Sequence, residues 1–118
     1  MIKLKNLLEA IKAEHQITTQ SELVALLSQN ELLIQQIQAA DAQYWVNFAK
    51  NTFDGWYCIR TPMLSTFHVY YQERGQNCWG EDVFTEQSEA IAAVIFMSGA
   101  YAASAANFAG ADLKPVPL

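Results

Sequence analysis

The sequence predicts an α+β domain, and three observations carry that prediction. Apolar residues recur with helical spacing through the first forty residues, a β-branched and aromatic stretch with strand-like alternation follows between Trp56 and Phe84, and a run free of charge extends from Ala90 to Ala111. Helices, then strands, then a helix is the order of an α+β chain, and the strands are not separated by helices as βαβ units would require.

Leu4, Leu7, Leu8 and Ile11 fall at i, i+3, i+4 and i+7, one face of an amphipathic helix that ends near His15. Ser21 is an N-cap candidate for a short second helix whose stripe is Leu23, Leu26 and Leu27. Asn30 either ends that helix or caps a third, with Leu32, Leu33, Ile34 and Ile37, and Asp41 is placed to cap a further turn through Tyr44, Trp45 and Phe48. At Asn51-Thr52-Phe53-Asp54-Gly55 the helical spacing stops. Three strands follow, at 56–61, 66–72 and 77–84, forming a three-stranded or larger antiparallel meander. Gly75 supplies the positive φ that a tight hairpin turn between the last two strands needs. In the middle strand Phe67, Val69 and Tyr71 share the face expected toward the core, with His68, Tyr70 and Gln72 on the other. Thr85 is the expected N-cap of a long C-terminal helix that covers the sheet, with Glu86 and Glu89 at its positive end. The run from Ala90 to Ala111 is long enough to span a membrane, but alanine dominates it, Ser98, Gly99, Ser104 and Asn107 interrupt it, and no basic flank precedes Lys114; a buried helix is the better reading.

The chain has 118 residues, 52% hydrophobic, 12% aromatic and 16% charged, enough for one domain over residues 1–118 with a real core. No repeat or Gly/Ser/Pro-rich linker divides it. A formal net charge of −5 is the wrong sign for gripping phosphate backbones, so direct nucleic-acid binding is not expected. Lysines begin the chain, yet Glu9, Lys12 and Glu14 break any signal-peptide core, so export is not expected and a cytoplasmic protein is the expectation. Cys58 and Cys78 read as reduced thiols, and with only His15 and His68 beside them no metal or cofactor site is expected. His68 together with a cysteine is a conceivable nucleophilic pair without a flanking signature, and no phosphate-binding glycine loop is present.

The acidity is local. Between Gly75 and Leu113 lie Glu81, Asp82, Glu86, Glu89 and Asp112 with no Lys or Arg, which accounts for a charge of −5, the whole formal net charge. Glu81, Asp82, Glu86 and Glu89 are expected to form one patch for a basic partner, with Trp79, Tyr70 and Tyr57 as aromatic anchors. Acids at a helix start also suit the helix dipole without any partner.

Val69-Tyr70-Tyr71-Gln72-Glu73-Arg74-Gly75, then Val83-Phe84, then Ser88-Glu89-Ala90-Ile91 together resemble the small immunity proteins of bacterial polymorphic-toxin and contact-dependent growth-inhibition systems. The resemblance spans about Thr66 to Ile95, and the alanine-rich extension after Ile91 departs from it. It implies a small α/β or α+β protein, encoded beside a toxin, that binds the toxin tightly in the cytoplasm as a one-to-one complex and has no catalysis of its own. A nuclease toxin would be basic around its cleft, where carboxylates can mimic or exclude phosphate. The other reading of the sequence is a small ligand-binding domain or enzyme, with His68 lining a pocket between sheet and helices.

Overall fold

A computed structural model of the chain describes residues 2–42 and 45–104, with backbone only at 77–80. Among these residues the order is α1 (Leu4–His15), α2 (Gln20–Ser28), α3 (Glu31–Ala39), β1 (Val46–Asn47), β2 (Gly55–Thr61), β3 (Thr66–Glu73), β4 (Gln76–Phe84), α4 (Gln87–Met97) and α5 (Ala100–Ala103). The architecture is α+β, with one mixed sheet in the order β1-β2-β3-β4.

The first helix forms where its spacing places it, burying Leu4, Leu8 and Ile11. The second starts two residues earlier than Ser21 suggests. Thr19 is the N-cap: its hydroxyl accepts from the Glu22 N–H, and the Glu22 carboxylate accepts from the N–H groups of Thr19 and Thr18. Ser21 has Val24 at the reciprocal position, so only Thr19 can close a capping box. Asn30 caps α3 as expected, its side chain accepting from the Leu33 N–H at 3.2 Å.

The turn that Asp41 is expected to cap runs through residues 43 and 44, which lie outside the described residues. The Asp41 backbone pairs with the start of α1, donating to the Ile2 carbonyl at 2.8 Å and accepting from the Leu4 N–H at 3.0 Å. Val46 and Asn47 then extend beside Trp56 and Tyr57 as a parallel strand, where a helical turn through Phe48 was expected. The Asn47 side chain, buried here, donates to the Trp56 carbonyl at 3.0 Å. The connection 48–54 therefore crosses the sheet before re-entering it at Gly55. It also means that part of the β2 edge is covered and that β4 is the other outermost strand.

The meander of β2, β3 and β4 is antiparallel, with Thr61 opposite Thr66 and Glu73 opposite Gln76. Only Arg74 and Gly75 separate β3 from β4, with φ of 56° and 79°. Two positive φ values are what a two-residue turn matching the strand twist demands, and glycine meets that demand without a Cβ penalty.

Trp56, Cys58, Phe67, Val69, Tyr71 and Phe84 face the helices, as the alternation of β3 predicts. The helix α4 lies on this face and is itself packed under α2. Ala90 to Ile95 are all buried, so α4 is enclosed on every side. Its alanines let a sheet and a second helix approach together, which explains why so apolar a helix is short and internal.

The C-terminal helix is not the unbroken 90–111 element of the sequence reading. It begins with Glu86, not Thr85, as N-cap and ends at Met97. Ser98 Oγ donates to the Ile95 carbonyl and accepts from the Ala100 N–H, while Gly99 adopts φ 82°. A serine that recaps the backbone followed by a left-handed glycine is a helix stop. The chain turns into α5, whose Tyr101 ring stacks on Phe96 and whose hydroxyl donates to the Ile17 carbonyl. The remainder of the expected helix, from residue 105, lies outside the described residues. Among the described residues no helix is long and apolar enough to cross a membrane.

Candidate functional site

The sheet face turned away from the helices is the chemically varied one. Tyr57, Ile59 and Thr61 of β2 stand beside His68, Tyr70 and Gln72 of β3, since directly opposed residues share a face. The crossing 48–54 roofs one end of it. The Tyr57 hydroxyl lies 2.6 Å from both Asn51 Oδ1 and the Phe53 carbonyl, and the Gln72 amide donates toward the carbonyls of Asn51 and Phe53 at 2.9 and 3.1 Å. Tyr70 stacks flat on Tyr57 with centroids 5.4 Å apart. Burial pushes both phenols above their ordinary pKa; the neighbouring Tyr70 phenol raises the cost of ionising Tyr57, and the carboxylates of Asp54 near Tyr57 and Glu81 near Tyr70 add to it.

Beyond the roof the face is open. His68 Nδ1 lies 3.0 Å from Glu81 Oε2, within hydrogen-bond distance, at the rim of a hollow of about 280 Å³. Lys50, Arg60, Thr61, His68, Tyr70 and Glu81 line it. Among the described residues the buried Tyr70 hydroxyl has no hydrogen-bond partner, and the same is true of the hydroxyl of Thr66, two residues before His68 on the same face.

The predicted acids divide. Asp82 stands opposite Val69 and so belongs to the helix-side face of the edge strand, whereas Glu81 reaches across to His68 on the other face. Glu86 and Glu89 sit at the start of α4, at its N-cap and in its first turn, where their charge meets the helix dipole. All four are exposed at the same end of the sheet, but they wrap an edge instead of tiling one plane. Tyr57 and Tyr70 present no exposed ring, at 0% and 4% exposure, and the Trp79 side chain lies outside the described residues.

Two details of the sequence reading are corrected. Cys58 faces the helices opposite Val69 while His68 faces the other way, so these two form no pair, and the Cys78 side chain lies outside the described residues; burial pushes the Cys58 thiol up to about 12. Cys58 and Cys78 lie on β2 and β4, separated by β3. The pocket at His68 is on the open face of the sheet, not between sheet and helices. Among the described residues, no three His, Cys, Asp or Glu side chains gather to hold a metal.

The sequence reading missed the β2–β3 turn. Met63 is 89% exposed and Leu64 69%, and Val83, opposite His68 at the same end of the sheet, is 55% exposed. The signal was present as two large apolar residues between Pro62 and Ser65, inside a turn where polar residues are usual. Comparison with known proteins yields no match to a family model, to a curated protein or to a solved structure.

Proposed function

We propose that this chain is a binding protein of the immunity type, one that neutralises a basic toxin domain, a nuclease being the best-suited kind, by forming a one-to-one complex in the cytoplasm. It needs no catalysis of its own for that task. The carrying observation is the juxtaposition at one end of the sheet: exposed Met63, Leu64 and Val83 lie beside exposed Glu81, Asp82, Glu86 and Glu89. An apolar centre with a charged margin is the composition of a recognition surface, in which the buried apolar groups supply affinity and the charges steer the encounter. The acidic margin calls for a basic partner. The likeness of the hairpin and helix start to immunity proteins supports the same reading.

The test is co-expression with the product of the gene immediately upstream, followed by purification of any complex. The double variant Met63→Asp, Leu64→Asp alters a solvent-exposed turn and keeps the core. It is expected to fold normally and to bind about 1,000-fold more weakly, the loss of two central anchors of about 2 kcal/mol each. Full binding and full protection by that variant would place the interface elsewhere.

A further inference from the structure

The two hairpin turns of the sheet are built differently. Between β3 and β4 the reversal takes two residues at positive φ, one of them Gly75. Between β2 and β3 it takes four, Pro62-Met63-Leu64-Ser65, closed by the pairing of Thr61 with Thr66. The proline ring fixes φ at the entry of this turn. At its exit Ser65 has φ 54°, and its N–H donates to the Thr61 carbonyl at 3.1 Å. A left-handed position is the default place for glycine. Serine there carries a steric cost, and its Cβ removes most of the other conformations that glycine would leave open. Both ends of the turn are thus held by residues that narrow the choices of the backbone.

The residues displayed between those ends do nothing for the core. Met63 is 89% exposed and Leu64 69%, and neither belongs to the buried cluster. They stand beyond the last pair of the β2–β3 ladder, so the surface is convex here. Val83 adds an exposed apolar side chain beside the hairpin, and Glu81, Asp82, Glu86 and Glu89 stand at the same end of the sheet against Lys50 and Arg60, which leaves that end acidic. A stiff backbone carrying two large apolar side chains into solvent is a recognition element whose ordering cost has been met before any partner arrives.

We infer that the 62–65 turn is a preformed knob that enters an apolar recess of the partner, a recess rimmed by Lys or Arg side chains, with Pro62 and Ser65 as the residues that position Met63 and Leu64. The inference rests on the reading of this chain as a binding protein and adds the shape of what it binds: a convex tip needs a concave site, and the acids beside it need a basic rim. A flat partner surface would meet the tip of Met63 and little else. Because the knob is already formed, binding requires no rearrangement of the turn, and the free and bound backbones are the same there.

The test uses the full chain, isotope-labelled on its amides, and the product of the gene immediately upstream. In the free chain the amides of Met63, Leu64 and Ser65 should show order parameters near those of β2 and β3, about 0.85; values below about 0.6 would overturn the inference. Ser65→Gly and Pro62→Ala keep both apolar side chains and loosen the backbone that carries them. Each should lower the order of the tip and weaken the complex about tenfold. Ser65→Gly should leave Tm close to that of the parent, since relief at positive φ and the greater freedom of the unfolded chain oppose each other, so a loss of affinity there does not report a loss of fold. Ser65→Asn, which tolerates the left-handed region and keeps a Cβ, should bind as the parent does. A parent complex that neither Ser65→Gly nor Pro62→Ala weakens would overturn the knob and leave the binding reading standing. Absence of a complex with the parent chain would overturn the binding reading, and the recess with it, whatever the order of the tip.

Discussion

At the scale of single residues, two titrating groups show how placement sets chemistry. The Glu22 carboxylate accepts backbone N–H groups of Thr18 and Thr19, which hold its pKa below the ordinary 4.5. A depressed carboxylate stabilises the fold above its unfolded pKa and loses that contribution as pH falls through the folded value. Glu22→Gln can keep the cap geometry but cannot titrate, so its unfolding midpoint in urea should change less than that of the parent between about pH 5 and pH 3. Cys58 has the opposite sign. Its thiol is raised from 9.0 to about 12 by burial, so its contribution is complete below pH 9 and declines as pH rises toward 12, where only the unfolded chain ionises freely. In a Cys78→Ala background, Cys58 should react with a disulfide reagent at neutral pH at the rate of unfolding, and at once in denaturant. Rapid reaction in the native protein would contradict its placement between sheet and α4.

At the scale of elements, the roof over the open sheet face hangs on few bonds. Gln72 is 3% exposed and its amide holds the Asn51 and Phe53 carbonyls, while the Arg74 N–H donates to Asp54 Oδ1 at 2.8 Å. Gln72→Leu should cost about 1–3 kcal/mol, through the two carbonyls and the Tyr57 hydroxyl left without their donor. Hydrogen exchange of the 48–54 amides should rise in that variant before any change in α4. In the β3–β4 turn, Arg74 occupies a left-handed position that asparagine tolerates better, so Arg74→Asn should stabilise by about 0.5 kcal/mol and Gly75→Ala should destabilise by about 1 kcal/mol. Thermal unfolding of both variants measures this directly.

Elements were legible where one local rule acts alone. The stripe of Leu4, Leu8 and Ile11, the Asn30 cap and the alternation of Phe67, Val69 and Tyr71 each follow from periodicity or a side-chain oxygen. They failed where rules compete. Ser21 and Thr19 are both good caps, and the acid three residues on decides between them. Val46 and Asn47 form a strand only because Trp56 and Tyr57 offer an edge, a pairing ten residues away that no local pattern encodes. Ser98 and Gly99 were visible, but the absence of charge from Ala90 to Ala111 outweighed them, although lack of charge reports burial and not continuity. For the candidate surface the acids were legible as charge. Their division across the β4 edge was not, because it depends on the register with Val69 and His68.

At the scale of the whole molecule, burial and exposure are unequal on the two sides of the sheet. One face is sealed by α4 with α2 above it, and the other is half roofed and half open, with the apolar turn and the acids gathered at the open end. Charges at that margin should act on association more than on dissociation. Asp82→Lys, on the exposed edge strand and outside the His68 pair, should slow partner association by about tenfold at low salt, with the difference shrinking as salt screens it. An equal slowing at all ionic strengths would mean that Asp82 acts by contact and not by steering.

The proposal that this chain neutralises its partner through the turn and acidic end of the sheet is tested most directly by one measurement. Cells expressing the upstream product would be challenged with the parent chain or with Met63→Asp, Leu64→Asp, with the two inhibitors at equal abundance. The account predicts survival with the parent and death with the double variant, together with loss of the one-to-one complex. Equal survival with a complex of equal affinity would contradict it.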